Sequence, residues 1–141
     1  MILLIDTSQD KAIIALGKEK IISKKIWPAQ YQQSETLLPA IDQLLKKNKL
    51  VLNDLTSLIV NSGPGSYTGL RVGIATANAL SFGLKIPIVG IKNRLPKLRD
   101  LFQIGITKLK DKKFKIENLI KPYYKAKPHI TKSKKIDYFS K

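Results

Sequence analysis

The residues best able to do chemistry lie in the stretch Gly63–Arg71, GPGSYTGLR. Gly63, Gly65 and Gly69 allow a tight backbone turn, and Pro64, Ser66, Tyr67 and Thr68 complete the loop. A loop of this kind between an apolar run and a helix can aim backbone N–H groups at an anion or at another protein. It lacks the lysine of a P-loop and the spacing of a dinucleotide fingerprint, so phosphate binding and a plain strand-to-helix turn both stay open. Asp6, Thr7 and Ser8 form a second cluster at the end of the first apolar run, where the aspartate side chain can cap a turn. Hydrolytic chemistry has little to work with. The chain has no cysteine, and its single histidine, His129, lies in a basic tail far from either cluster. Neither a metal-binding histidine pair nor a serine–histidine triad can be assembled, and Ser66 stands outside a G-x-S-x-G elbow.

These clusters need a sheet and helices to place them. Ile2–Ile5 reads as a buried strand, followed by Lys11–Leu16 and Ile21–Ile26 around a Gly17–Lys20 turn. From Glu35 the period becomes helical, with Leu37, Leu38, Ile41, Leu44 and Leu45 on one stripe of a helix over 35–48. Pro39 must fall in its first turn or kink it. Leu58–Asn61 and Ile88–Ile91 are the fourth and fifth strands, with a helix at 69–84 between them. The order β-β-β-α-β-α-β predicts an α/β fold, a mixed five-stranded sheet flanked by helices. It is the ribonuclease-H-like order of one lobe of actin-like (ASKHA) ATPases, in which the first strand turn, here Asp6, Thr7 and Ser8, holds nucleotide. After residue 91 the pattern weakens to a short basic helix at Arg94–Phe102, an apolar segment at Ile116–Ile120 and an extended tail.

Charge divides the chain at the same place. Of 26 lysines and arginines, sixteen fall in residues 92–141, against four acidic residues there, in a chain of net charge +16. The expected organisation is a lobe over 1–91 and a basic segment over 92–141, the latter suited to phosphate backbones such as tRNA or to acidic proteins. No apolar run is long enough to cross a membrane, and MILLID is not a signal peptide, so a cytoplasmic protein is expected. From Leu55 to Leu84 the only charged residue is Arg71. A helix that is small or apolar nearly all round is buried nearly all round. Gly69, Gly73 and Ala77 form a row of small residues that would let a second helix approach, and Val72, Ala75, Ala79 and Phe82 lie on the far side. A partner protein, or the C-terminal segment, must cover this helix. On the partner reading, a bulky charged residue at Gly73 or Ala77 abolishes binding and leaves the fold intact.

ILLIDTS, QSETLLPAIDQLL, GPGSYTGLRVGIATANAL, IPIVGI and the closing IKPYYKAKPHITKSKK resemble the TsaB (YeaZ) family, chiefly its N-terminal lobe. The resemblance implies a catalytically inert relative of the actin-like ATPases that pairs with TsaD, the transferase forming threonylcarbamoyladenosine in tRNAs that read ANN codons. It implies a TsaD heterodimer, TsaE in the same assembly, and homodimers when TsaD is absent. The contact would be a four-helix bundle, made here by helices 35–48 and 69–84. Its residues would be Leu37, Leu38, Ile41, Leu45, Gly69, Arg71, Val72, Gly73, Thr76, Ala77 and Leu80. No intrinsic cofactor is implied, with ATP or ADP only at a shared interface. Family members carry a second lobe between the IPIVGI strand and the closing segment, where this chain has under thirty residues. An RNA-binding module working through the lysine-rich segment, or a small actin-like ATPase, are the competing readings.

Overall fold

Short apolar runs in the first 28 positions make two buried strands, β1 (Ile2–Asp6) and β2 (Lys11–Gly17), and an alternating edge strand, β3 (Ile21–Pro28), all paired antiparallel in succession. The structure is a computed structural model that describes residues 1–29, 32–92, 97–111 and 119–124. Helix α1 (Gln33–Lys47) then crosses to β4 (Ser57–Gly63), α2 (Tyr67–Leu84) crosses to β5 (Ile88–Lys92), and α3 (Leu98–Lys110) follows. The sheet order is β3-β2-β1-β4-β5, with β1, β4 and β5 parallel. β1 lies at the centre, pairing Leu3 with Leu16 on one side and with Leu58 on the other.

Every residue of β4 is buried, as a strand covered on both faces requires. Leu3, Ile5, Ile14, Val60 and Ile88 meet α1 and α2 on one face. Leu4, Ala15, Ile59, Val89 and Ile91 meet Leu101, Phe102 and Ile106 of α3 on the other. Gly105 lets α3 sit directly on Ile59, whose side chain a Cβ there would strike.

Three expectations shift. The last helix runs over Leu98–Lys110 rather than Arg94–Phe102, because Leu101, Phe102, Gly105 and Ile106 make its buried stripe, with Leu98 and Leu109 partly buried at its ends. Of the two placements expected for Pro39, the first turn is excluded: it stands in the second turn of α1 and leaves the Glu35 carbonyl without its i+4 donor. Leu119–Tyr124 has no regular structure but lies against α2 and the sheet; residues 112–118 and the tail from 125, His129 included, fall outside the described residues. No helix among the described residues is long and apolar enough to cross a membrane.

Candidate functional site

The two sequence clusters come together where the parallel strands β1 and β4 end. Asp6 Oδ1 accepts the backbone N–H of Ser8 at 3.0 Å and its hydroxyl at 2.6 Å, closing an Asx turn. Asn61 Nδ2 donates to Asp6 Oδ2 at 3.2 Å and to Ser8 Oγ at 3.3 Å, while its Oδ1 accepts from Gly63 N at 3.0 Å. Both carboxylate oxygens of Asp6 are therefore engaged by side chains of its own lobe. Asn61, 5 % exposed, was not among the sequence candidates. Its signal was a buried-strand position occupied by an amide, which must find partners.

The glycine turn is tied to the same network. Ser66 N donates to Ser8 O at 2.8 Å, and Ser66 Oγ caps α2 by accepting from Gly69 N at 3.3 Å. Thr7 Oγ1, 1 % exposed, donates to Gly69 O at 2.5 Å. A Cβ at Gly65 would run into Ser8, at Gly69 into Thr7 O, and at Gly73 into Thr7 Oγ1. Gly65, Ser66, Tyr67 and Thr68 form the exposed rim of this turn, while Gly63 is buried and Pro64 half-buried. Among the described residues no group of three or more His, Asp or Glu converges as a metal site would need.

The close approach of Gly69 and Gly73 to Thr7 corrects the expected use of the small-residue row. Gly69, Gly73 and Ala77 face inward, packing α2 against the β1 turn and the sheet; none is open to a partner helix. A charged residue at Gly73 or Ala77 therefore disrupts the lobe itself. Leu37, Ile41 and Leu45 of α1, at 1 to 2 % exposure, are likewise spent in the core. Of the expected interface residues, Leu38 and Arg71 are exposed, and Val72, Thr76 and Leu80 are half-buried.

The exposed stripe of α2 is Arg71, Ala75, Ala79, Phe82 and Gly83, flanked by Val72. At 100° per residue these fall on one side of the helix, opposite Leu70, Ile74 and Ala77. Phe82 is 89 % exposed, and Leu38 on neighbouring α1 is 55 % exposed. Between Arg71 and Lys85 this stripe carries no charge.

The other flank of α2 is covered by the chain itself. Asn78 Nδ2 donates to Ile120 O and Asn78 Oδ1 accepts from Ile120 N, both at 2.9 Å. Tyr123 N donates to Ser62 O at 2.7 Å. Tyr124 stacks on Tyr67 with centroids 4.8 Å apart, and Arg71 lies 5.3 Å from the Tyr67 ring. The phenol of Tyr124 titrates above its ordinary value, through burial first and then the neighbouring Tyr67, with Arg71 working the other way. Of the two expected covers, the C-terminal segment takes one flank of α2, and the Ala75–Phe82 stripe stays bare.

The sheet order, the turn at the end of β1 and the glycine turn after β4 define a single ribonuclease-H-like lobe of the actin-like class. The family model described as "TsaD: tRNA N6-adenosine threonylcarbamoyltransferase" matches residues 19–94, just over half of the chain. The chain is 40 % identical over 91 residues to the tRNA threonylcarbamoyladenosine biosynthesis protein TsaB of Buchnera aphidicola subsp. Schizaphis graminum, covering 64 % of this chain and 43 % of that protein. It is 34 % identical over 106 residues to TsaB of Haemophilus influenzae, covering 73 % and 44 %. YeaZ from Pseudomonas aeruginosa superposes with a TM-score of 0.60 at 25 % identity, covering 65 % of this chain and 43 % of that one. Within its class the chain belongs to the TsaB (YeaZ) family. It spans little more than two fifths of the length of these curated relatives.

Proposed function

We propose that this chain is a non-catalytic partner of a TsaD-type transferase in the formation of threonylcarbamoyladenosine in tRNA. In this reading residues 1–91 are the family's N-terminal lobe and 92–141 stand where relatives carry a second lobe. One observation carries the proposal: beyond Arg71, α2 presents an uncharged stripe to solvent, with Phe82 89 % exposed near its C-terminal end, on a chain of net charge +16. A large aromatic left exposed on an apolar strip marks a protein contact. The docking surface is Val72, Ala75, Ala79, Phe82 and Gly83, with Leu38 of α1 and the half-buried Thr76 and Leu80 beside it. A second copy of the chain competes for the same stripe when TsaD is absent, and TsaE joins the assembled pair.

The inert assignment has its own support. Asp6 is engaged in closing its own turn through Ser8 and Asn61, and the lobe by itself forms only one wall of a two-lobed nucleotide cleft. ATP or ADP would then meet this chain only at the interface with TsaD. The test is co-expression with TsaD from the same genome and size-exclusion chromatography in moderate salt. The native chain co-elutes with TsaD and Phe82→Asp elutes apart from it, with circular dichroism unchanged. Co-elution of Phe82→Asp would place the contact elsewhere.

A further inference from the structure

We infer that the cleft beside residues 119–123 is a seat for an RNA strand, which sets a backbone phosphate among its lysines and a base against Tyr123. A cleft of about 500 Å³ opens where the end of β5, the last turns of α3 and this segment meet. Its walls include Lys92, Lys108, Lys121, Pro122 and Tyr123, with Gly90 at its floor. The three lysines come from three separate elements, so their convergence is a product of the fold and not of a run in sequence. Among the described residues that line this cleft there is no carboxylate. The groove between β3 and α1 contains Glu35, and the one beside α1 and α2 contains Asp42.

The site is built before any ligand arrives. Ser62 O holds the backbone of Tyr123, and Asn78 grips Ile120 by both its backbone groups. Gly90 admits the segment closely, since a Cβ there would press on the Ile120 side chain. Lys92 Nζ lies 4.6 Å from the centroid of the Tyr123 ring, which keeps cation and aromatic in one wall. Tyr123 remains 41 % exposed. A cationic groove with a solvent-facing aromatic ring is the arrangement that holds single-stranded nucleic acid, through phosphate attraction and base stacking. An acidic peptide would use the lysines and leave the ring idle, so the aromatic decides for RNA. The inference stands without the TsaD reading.

The test is fluorescence anisotropy of a labelled single-stranded RNA oligonucleotide with the full chain alone, at about 50 mM salt and over a salt series. Lys92→Gln/Lys121→Gln is compared with Lys18→Gln/Lys47→Gln, which removes the same charge from exposed positions far from the cleft. Each phosphate contact on a single strand is worth up to about 0.9 log unit at this salt, so the cleft pair weakens binding roughly tenfold or more. Its salt slope falls by about 1.4, while the control pair loses less than about threefold. Tyr123→Leu, which keeps the backbone bond to Ser62, also weakens binding. Equal losses for the two lysine pairs, displacement of the RNA by a short polyglutamate peptide with Tyr123→Leu unaffected, or no binding by the native chain would each overturn the inference. None of these outcomes touches co-elution with TsaD.

Discussion

Replacing glycine by alanine at two positions of α2 should move stability in opposite directions. In a helix interior the change alone gains about 1 kcal/mol from backbone entropy. At Gly83 nothing lies within 4 Å of the added Cβ, so Gly83→Ala realises a gain of about 0.5 kcal/mol or more near the helix end. At Gly73 the methyl enters the space of the Thr7 hydroxyl and comes within 3.3 Å of Thr7 Cβ. Overpacking of this kind costs about 1–3 kcal/mol. Displacing Thr7 Oγ1 from Gly69 O breaks a buried hydrogen bond worth about 1 kcal/mol more. Set against the helical gain, Gly73→Ala is a net loss of roughly 1–3 kcal/mol. The assay is urea unfolding followed by Trp27, the sole tryptophan, whose Nε1 donates to Thr36 Oγ1 at 3.0 Å and so bridges β3 and α1. The two midpoints should fall on either side of the parent's, with an unchanged denaturant slope. If Gly73→Ala matched the parent or exceeded it, the inward facing of the small-residue row would be wrong. The row would then be available to a partner helix after all.

Two further outcomes test the segment along α2. Asn78→Ala removes both bonds to Ile120 and leaves two backbone groups of a residue only 3 % exposed without partners, a loss of about 2 kcal/mol or more concentrated in the segment. Hydrogen exchange at the Ile120 and Tyr123 amides should accelerate while that in β1 and β4 does not; uniform acceleration would mean the segment is no separate unit. Tyr124 gives the pH dependence. Its folded value lies above the ordinary 10.0, so the protonated phenol is favoured in the fold. That contribution is complete below about pH 10 and disappears as pH rises through the folded value. Tyr124→Phe should remove the late-titrating part of the tyrosine absorbance; a titration curve of unchanged shape would refute the burial of that ring.

The sheet was legible because strand periodicity and turn residues act locally. Ile2–Ile5, the Gly17–Lys20 turn and the stripe through Leu37, Ile41 and Leu44 each declare themselves within a few residues. The orientation of α2 was not legible for a physical reason. When nearly every position is small or apolar, hydrophobicity does not say which side faces the sheet; the fit of Gly69 and Gly73 to Thr7 does, and those residues are some sixty positions apart. In α3 the lysines of the last turn and beyond disguised a regular buried stripe that Leu98, Leu101 and Ile106 could have revealed. Asn61 and Asn78 were overlooked because an amide that satisfies distant backbone has no spacing signature. The interface residues named from resemblance divide accordingly. Those on the inner stripes of α1 and α2 hold the lobe together, and Ala75, Ala79 and Phe82 remain to meet something else.

The central place of β1 also dictates an order of assembly. Its bonds to β2 form across one tight turn, so the first hairpin can close from nearby residues alone. Its other edge waits for Ser57–Val60, more than fifty positions later, through the α1 crossover. Until then the most apolar strand of the protein shows an unpaired edge, the condition under which chains pair with one another instead of with themselves. Loop closure over that distance makes this parallel pairing the entropically costlier of the two. The clamp on Ile120 can close only afterwards, because Asn78 has no fixed position until α2 has been laid against β4. The N-terminal strand is thus made first and completed late, and its exposure to other chains is set by how soon β4 arrives.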